Sequence, residues 1–305
     1  MTNWFLLKQH NMRPTYVSKG ISQSRSGAHY RAALVILLSV ATPLLAGTLD
    51  DAAAAIDRGN DVAARRLLLP RAENGNARAQ SMLGILLYKS ARLKGHDYAT
   101  SVTWIRKAAT QGDAVGQAFL GTLLSEGKIV PGDMSEAIKW FRKAAAQGNV
   151  DAEAALGVSY SIGRGVPQNC LEGMKWLQKS AAQGNVDGEY LLGLAYGKGQ
   201  CVTQDFAEAN KWFFRSAAQG NAASQCMLGF AYASGRAVTQ DGVQALKWYI
   251  LAAAQSPESQ DNPDAGVLRD AAIKGRDTLA SRLPASEVEE AQKQARDWKP
   301  QLAPR

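Results

Sequence analysis

Small and apolar residues recur along the chain at helical spacing, and short polar or glycine-rich segments interrupt them. In one stretch, Ala152, Leu156, Ser159, Tyr160 and Gly163 follow the i, i+4, i+7, i+8 spacing of one helix face. A second apolar stretch, with a tryptophan near its centre, follows each glycine-rich segment. No part of the chain has the strict alternation that is typical of a strand. The pattern predicts pairs of helices and an all-α fold.

The helix pair repeats five times, with a period of 36 residues. Tryptophan marks the second helix of each copy, at Trp104, Trp140, Trp176, Trp212 and Trp248. A Leu-Gly pair marks the first helix, at Gly84, Gly121, Gly157, Gly193 and Gly229. A glycine inside a helix costs about 1 kcal/mol relative to alanine, so we expect these glycines to admit a neighbouring helix. Because the tryptophans recur at the structural period, we expect buried repeat core rather than a site that stacks a cofactor or sugar. Such a period predicts an α-solenoid.

Asparagine or aspartate precedes every helix of the array, which predicts the N-caps. In the first helices they follow a glycine that ends the preceding helix. The predicted caps of the first helices are Asn76, Asp113, Asn149, Asn185 and Asn221. Those of the second helices are Asp97, Asp133, Asn169, Asp205 and Asp241.

Three motifs resemble Sel1-like repeats, which are relatives of the tetratricopeptide repeat. They are Ala-x-Ala-Gln-x-x-Leu-Gly at 77–84, Lys-Trp-x-x-Lys-Ala-Ala-x-Gln-Gly at 139–148, and the Gly-x-Gly-Val loop that begins at Gly163. The resemblance covers roughly residues 75–256. It implies an α-solenoid with a right-handed superhelix that binds other proteins. It further implies a role in envelope signalling, exopolysaccharide control or the assembly of envelope complexes.

The flanking segments predict a leader and two caps. The predicted order is a signal peptide or membrane anchor at 1–46, a degenerate helix pair at 47–74, five repeats at 75–256, a linker at 257–263, and capping helices with a tail at 264–305. In the last helix, Ser286 and Glu289 have the spacing of a capping box.

The leader predicts export. A basic segment precedes the apolar run from Ala32 to Ala46, and small residues close that run, as in a secretory signal. We expect cleavage after Ala46 and a periplasmic protein. An uncleaved anchor in the inner membrane is the alternative, and the only contact with a membrane would then be through this segment. The sequence leaves open whether Met1 or Met12 is the true start.

Charge and histidine content narrow the function. The net charge is +8, but the acid-free leader carries five of the basic residues, which leaves 30 basic and 27 acidic residues. A body so close to neutral gives no electrostatic reason to bind nucleic acid. His96 is the sole histidine after the leader, so we expect no histidine-rich metal site. We expect no cofactor.

The three cysteines include at least one without an intramolecular partner. Cys170 and Cys201 fall in equivalent segments of neighbouring repeats, and the sequence leaves open whether they form a disulfide. Cys226 stands where other copies have small residues or tyrosine, which predicts a packed thiol.

Catalysis is not expected. Ser125 and Lys128 match the Ser-x-x-Lys pattern of serine β-lactamases, but the supporting Ser-Asp-Asn and Lys-Thr-Gly motifs are absent from the sequence. The sequence therefore favours a non-enzymatic scaffold for envelope proteins of unknown identity. The alternative is a weak β-lactamase-like protein or a binder of peptidoglycan fragments.

One stripe of the first helix varies between copies, and we call it the variable stripe. It holds Met82, Phe119, Ala155, Leu191 and Met227, together with Ile85, Thr122, Val158, Leu194 and Phe230 three residues on. The stripe either packs against the adjacent repeat or lines a groove for a partner. The candidate partner-binding residues are Met82, Ile85, Phe119, Leu191, Leu194, Met227 and Phe230. We expect Leu191 to lie closer to the core and Phe119 closer to the groove.

Overall fold

The computed structural model describes residues 48–94, 98–254 and 263–301. The predicted leader, with its cleavage site at Ala46, lies outside the described residues, as does most of the predicted linker. In the described ranges, all regular secondary structure is helical. No helix in these ranges is both long and apolar enough to span a membrane.

Fourteen helices are present in the described chain, and the predicted all-α fold is confirmed. They are α1 (Leu49–Asp57), α2 (Asp61–Glu73), α3 (Ala77–Lys94), α4 (Ala99–Thr110), α5 (Ala114–Glu126), α6 (Met134–Ala146), α7 (Val150–Ile162), α8 (Cys170–Ala182), α9 (Val186–Lys198), α10 (Phe206–Ala218), α11 (Ala222–Ser234), α12 (Gly242–Ala254), α13 (Pro263–Ala280) and α14 (Ala285–Asp297). Helices α3, α5, α7, α9 and α11 are the first helices of the five copies, and α4, α6, α8, α10 and α12 are the second helices.

Side-chain caps begin the first helices at the predicted residues. The Asn149 side chain accepts a hydrogen bond from the Ala152 backbone N–H at 2.9 Å, and Asn185 accepts one from Gly188 at 2.7 Å. These caps satisfy backbone donors that have no partner inside the helix. Among the second helices, Asn169 and Asp205 cap α8 and α10 through their side chains. Helix α4 differs, because it begins after Tyr98, whose side chain makes no capping bond. Asp97 lies outside the described residues.

The capping box predicted at Ser286 is wrong. Helix α14 begins at Ala285, with Pro284 as its N-cap at φ −56°, and no side chain caps it. The fixed φ of proline leads directly into the first turn, so the helix begins earlier and Ser286 lies inside it. The buried side of α14 is formed by alanines, since Ala291 and Ala295 are both buried.

The described chain divides into two compact units, 48–133 and 134–301. The first unit contains α1 to α5. Its core is built from alanines of α1 and α2 together with leucines such as Leu68, Leu83 and Leu86. Helices α1 and α2 occupy the segment that was predicted to be a degenerate helix pair.

The second unit contains α6 to α14, and its core lies between consecutive helix pairs. One cluster joins α8 to α9 through Leu177 and Leu192, and another joins α10 and α11 to α12 through Phe213, Leu228 and Trp248. Helix α13 covers the end of this array. Its Ala272 is fully buried in the cluster that contains Cys226 and Tyr249.

The glycines of the first helices admit the second helix of the same copy, as predicted. A Cβ added to Gly157 would lie 2.6 Å from Leu177 Cγ, and one added to Gly229 would lie 2.6 Å from Tyr249 Cδ1. The same approach occurs at Gly84 and Gly193, where the nearest side-chain atoms would lie 2.7 Å away. Gly121 is buried in α5. The glycine at this position of each first helix therefore allows the close packing of the two helices.

The tryptophan column is not a uniformly buried core, and this corrects the sequence prediction. Trp248 is buried, with 3% of its surface exposed, but the other four are only half-buried: Trp104, Trp140, Trp176 and Trp212. The residue after each tryptophan faces the first helix instead and is buried at every copy: Ile105, Phe141, Leu177, Phe213 and Tyr249.

A cation lies over the half-buried indoles. Lys143 Nζ is 4.3 Å from the centroid of the Trp140 ring, and the Arg215 guanidinium is 4.9 Å from that of Trp212. The same contact, three residues along the helix, occurs at Trp104 and Trp176. Such contacts stabilise partly exposed aromatic rings by about 0.5–1 kcal/mol each. The tryptophans thus lie at the edge of the core with their outer surface covered by a basic side chain.

Candidate functional site

The variable stripe is buried in the unit 48–133. Met82, Ile85 and Phe119 each expose 3% of their surface. Met82 packs in the cluster formed with α1 and α2, and the Tyr88 ring meets Phe119 edge-on at 5.1 Å between centroids. These three candidate partner-binding residues therefore belong to the core, and their prediction as a binding surface is wrong.

In the unit 134–301 the exposure of the stripe increases from α7 to α9 and α11. Its small members in α7, Ala155 and Val158, are buried. The larger members in α9 and α11 are all half-buried: Leu191, Leu194, Met227 and Phe230. We call the side of α9 and α11 that carries these four residues the α9–α11 face. The expected order of Leu191 and Phe119 is reversed, because Phe119 is the one in the core.

The α9–α11 face lies directly over a packed core. Leu194 and Met227 contact the cluster that contains Phe213, Leu228 and Trp248. Leu191 contacts the neighbouring cluster built around Leu177 and Leu192. Each of these three side chains therefore packs on the core and remains partly exposed.

Two aspartates lie on the stripe side of α7 and α9. Asp187 precedes Leu191 by four residues and Leu194 by seven, so the three share one helix face. Asp151 has the same place in α7. This pair was not predicted from the sequence, although the 36-residue spacing of Asp151 and Asp187 is visible there.

The environment of the two aspartates disfavours their charge. Burial, and then the neighbouring charge of Asp151, raise the pKa of Asp187 from 3.8 to about 7. Burial also raises the pKa of Asp151, and the Asn185 amide opposes that shift by donating to Asp151 Oδ1 at 2.8 Å. Desolvation is the main cause at both residues.

Two buried glutamates, by contrast, have their own cations. Glu153 and Glu189 occupy a column of the first helices where the other copies have glutamine. Lys179 Nζ lies 2.8 Å from Glu153 Oε1, and Arg215 Nε lies 2.9 Å from Glu189 Oε1. Burial raises the pKa of Glu189, and the Arg215 charge lowers it in part.

Glutamine side chains complete this column. Gln183 donates to Glu153 Oε2 at 2.6 Å, and Gln219 donates to Glu189 Oε2 at 2.8 Å. In the first copy, Gln111 donates to Gln80 Oε1 at 2.7 Å. The column is therefore a structural ladder of hydrogen bonds along the repeats. Glu153 and Glu189 belong to it, each bound by a basic residue and a glutamine.

The serine of the Ser-x-x-Lys pattern lies in an unsuitable place for a nucleophile. Ser125 is buried in the last turn of α5, and its hydroxyl donates to the Thr122 carbonyl oxygen at 2.9 Å. The negative end of a helix dipole disfavours the oxyanion that a nucleophilic serine must become. Gly127, in the left-handed conformation, ends the helix before Lys128.

A disulfide joins Cys170 and Cys201, so the structure decides the question that the sequence left open. It connects the start of α8 to the segment after α9. Cys226 is a buried free thiol whose pKa burial raises to about 12, in agreement with the predicted packed thiol. In the described residues, no group of three or more His, Cys, Asp or Glu side chains is placed to hold a metal ion.

The fold and its repeated contacts define an all-α repeat protein built from helix pairs. The Sel1 repeat matches the sequence five times, at residues 77–113, 114–149, 150–185, 186–221 and 222–257. The chain belongs to the Sel1 repeat family. Proteins with these repeats generally mediate protein–protein interactions, and they are generally non-catalytic.

Solved structures that are similar to this chain include two bacterial proteins. One is c5321 of uropathogenic Escherichia coli, described as a protective antigen, with 29% identity over 84% of this chain and a TM-score of 0.66. This chain covers 53% of the E. coli protein, about half its length. The other is a Sel1 repeat protein of Oxalobacter formigenes, with 28% identity, a TM-score of 0.60, and coverage of 83% of this chain and 100% of that one. No curated protein matches the chain.

Proposed function

We propose that this protein is an exported, non-enzymatic scaffold that binds a protein partner in the bacterial envelope. The observation that carries the proposal is the α9–α11 face, where Leu191, Leu194 and Met227 pack on the core and remain partly exposed. Phe230 is also half-buried, and the Arg236 guanidinium lies 5.2 Å from its ring centroid. Solenoid repeats offer such a continuous face to extended or helical segments of other proteins. The bound partner would decide between signalling, exopolysaccharide control and complex assembly.

Three observations support export. The basic and apolar leader has the order of a secretory signal. The disulfide between Cys170 and Cys201 suits an oxidising compartment such as the periplasm. The similar E. coli protein is described as a protective antigen, which agrees with an exported protein. We infer periplasmic location after cleavage at Ala46, with the inner-membrane anchor as its alternative.

The N-terminus of the protein recovered from cells tests this inference directly. Edman sequencing of the periplasmic fraction should begin near Gly47. Recovery of the intact chain from the membrane fraction would establish the anchored form instead.

Partner binding is tested by a double substitution on the face, Leu194→Ser with Met227→Ser. Crosslinking in envelope preparations should capture a partner with the native protein and lose it with this variant. Leu171→Ser is the matched control, because Leu171 is apolar and 69% exposed at the start of α8, away from the face. Capture that survives the double substitution, or that the control abolishes equally, would refute the proposed face.

The absence of catalysis has a simple test. The purified protein should not hydrolyse nitrocefin, since the Ser125 hydroxyl is buried and bonded to a backbone carbonyl. Turnover that disappears in Ser125→Ala would overturn the scaffold proposal and favour the cell-wall alternative.

A further inference from the structure

The α9–α11 face combines apolar side chains with two carboxylates at one end. Asp187 lies in the first turn of α9, and Leu191 and Leu194 follow it on the same side of the helix. Asp151 occupies the equivalent position in α7, and the N-cap of α9, Asn185, donates a hydrogen bond to Asp151 Oδ1 at 2.8 Å, which places Asp151 beside the start of α9. The acidic end of the face is therefore formed by two neighbouring repeats.

Neither aspartate has a cationic partner in the part of the chain that the structure describes. Asn185 donates an amide hydrogen bond to Asp151, but this bond carries no charge. The neighbouring glutamates show the contrast, since Glu153 and Glu189 each have a basic residue from their own copy. Within the described ranges, the repeat thus pairs its buried glutamates with basic residues and leaves Asp151 and Asp187 without such a partner.

An unneutralised pair of partly desolvated carboxylates is costly to maintain. The raised pKa of Asp187, about 7, reflects that cost. A cation brought by a ligand would remove it, whereas an acidic ligand would increase it. Charge complementarity of this kind selects among partners more than it adds to affinity.

We propose that the α9–α11 face binds a protein segment in which a lysine or arginine is followed by apolar residues. The basic side chain pairs with Asp151 and Asp187, and the apolar residues pack on Leu191, Leu194 and Met227. This inference rests on the proposed function and names the chemistry of the partner.

The segment has a defined direction on the face. Lys198 lies eleven residues after Asp187 in α9, about 16 Å along the helix at 1.5 Å per residue. The positive charge of the segment therefore belongs at the start of α9, beside Asp187. A bound segment of four to five extended residues spans this length.

The experiment selects peptides from a random 12-residue phage library on the purified protein at pH 8, where Asp187 is ionised. We expect the bound peptides to be enriched in lysine or arginine next to apolar residues. The best peptide and a copy with its basic residue replaced by glutamine are then compared by calorimetry on the native protein and on the Asp151→Asn, Asp187→Asn variant. The variant should bind the basic peptide at least tenfold more weakly and the glutamine peptide unchanged.

The matched control is Glu172→Gln with Glu208→Gln. It removes the same charge from second helices, where both glutamates pair with neighbouring lysines. Affinity within twofold of the native protein is expected for this control. Equal losses in the control and in the aspartate variant would overturn the proposal, since the effect would then be one of net charge.

The remaining outcomes separate this inference from the proposed function. Apolar peptides that require Leu194 and Met227 but not the aspartates would refute the basic partner and keep the face. A library that gives no binder dependent on Leu194 and Met227 would count against both. If the native protein is a dimer in sedimentation velocity and Leu194→Ser is a monomer, the face binds a second copy of this chain. That result would overturn the inference.

Discussion

The first helices of the two units present the same repeat positions in different environments. In α3 and α5 the variable stripe is core, with Met82 and Phe119 buried. In α9 and α11 its members are half-buried and have the aspartates of α7 and α9 beside them. At the position of Asp187, α3 has Arg78 and α5 has Val115. In the leading unit the stripe positions therefore form core, whereas in the second unit they form a partly exposed face with carboxylates beside it.

The difference arises from what surrounds each helix. The stripe of α3 packs against α1 and α2, and large rings such as Tyr88 cover the stripe of α5. In the second unit, Leu191, Leu194 and Met227 pack on core clusters and remain partly exposed. A repeat period specifies where a side chain points, but the size of its neighbours decides whether solvent reaches it.

The largest effect that tests this comparison is at Phe119. Phe119→Ser should cost about 3–5 kcal/mol of unfolding free energy or more, the range for truncation of a buried phenylalanine. Leu191→Ser should cost less than about 2 kcal/mol because Leu191 is half-buried. Urea denaturation measures both. Equal losses would show that the two stripes have the same environment.

The next effect concerns the buried ion pair of α7 and α8. Lys179→Leu leaves the Glu153 carboxylate, which is fully buried, with Gln183 as its remaining partner, at a cost of about 1–3 kcal/mol. Adding Glu153→Gln reproduces the combination of Gln225 and Leu251 in the last copy, so the double variant should recover much of the loss. Strictly additive losses in this double-mutant cycle would argue against coupling.

The acidic end of the face predicts a pH dependence of stability. The folded pKa of Asp187, about 7, lies above its ordinary value of 3.8, so the folded state binds the proton more tightly than the unfolded state. The contribution of Asp187 to stability therefore falls as pH rises from about 4 to 7 and then stays constant.

Asp187→Asn should remove this loss. The variant should be more stable than the native protein at pH 8, by on the order of 1–2 kcal/mol after solvent screening, and nearly equal to it at pH 4. Thermal melts at both pH values measure the change. A variant that loses stability at pH 8 would mean that the carboxylate makes a favourable contact there.

The smallest expected effect is the difference in stability between the loss of two N-caps. Asn221→Ala should cost about 1 kcal/mol through loss of the cap of α11. Asn185→Ala should cost a few tenths more, because its amide also donates to Asp151. Denaturant midpoints of the two variants provide the comparison. A smaller loss at Asn185 would indicate that its bond to Asp151 is not stabilising.

The periodic features were predictable from the sequence. The N-caps at Asn149 and Asn185 and the close helix approach at Gly157 follow from residues that recur at one position in every copy. They depend on local chemistry and on one partner helix, so the repeat alone specifies them.

Burial and charge pairing depended on neighbours that the period does not show. The tryptophans were assigned to the core, yet the next residue, such as Leu177, is the one that faces the first helix. Phe119 was predicted to lie closer to the groove, because the Tyr88 residue that covers it belongs to the preceding copy. Asp187 was missed because its pKa depends on Asp151 in the preceding copy and on the absence of a basic partner among the described residues.

The glutamate column has a consequence for how such arrays can change by recombination. Each buried glutamate and its base are 26 residues apart in the same copy, Glu153 with Lys179 and Glu189 with Arg215. A crossover in the turn before Asn149 or Asn185 moves acid and base together. A crossover in the glycine-rich loop between the two helices of a copy can join a glutamate to a helix with leucine at that place, as in α12. Exchange of whole copies is therefore tolerated at one kind of junction and penalised at the other.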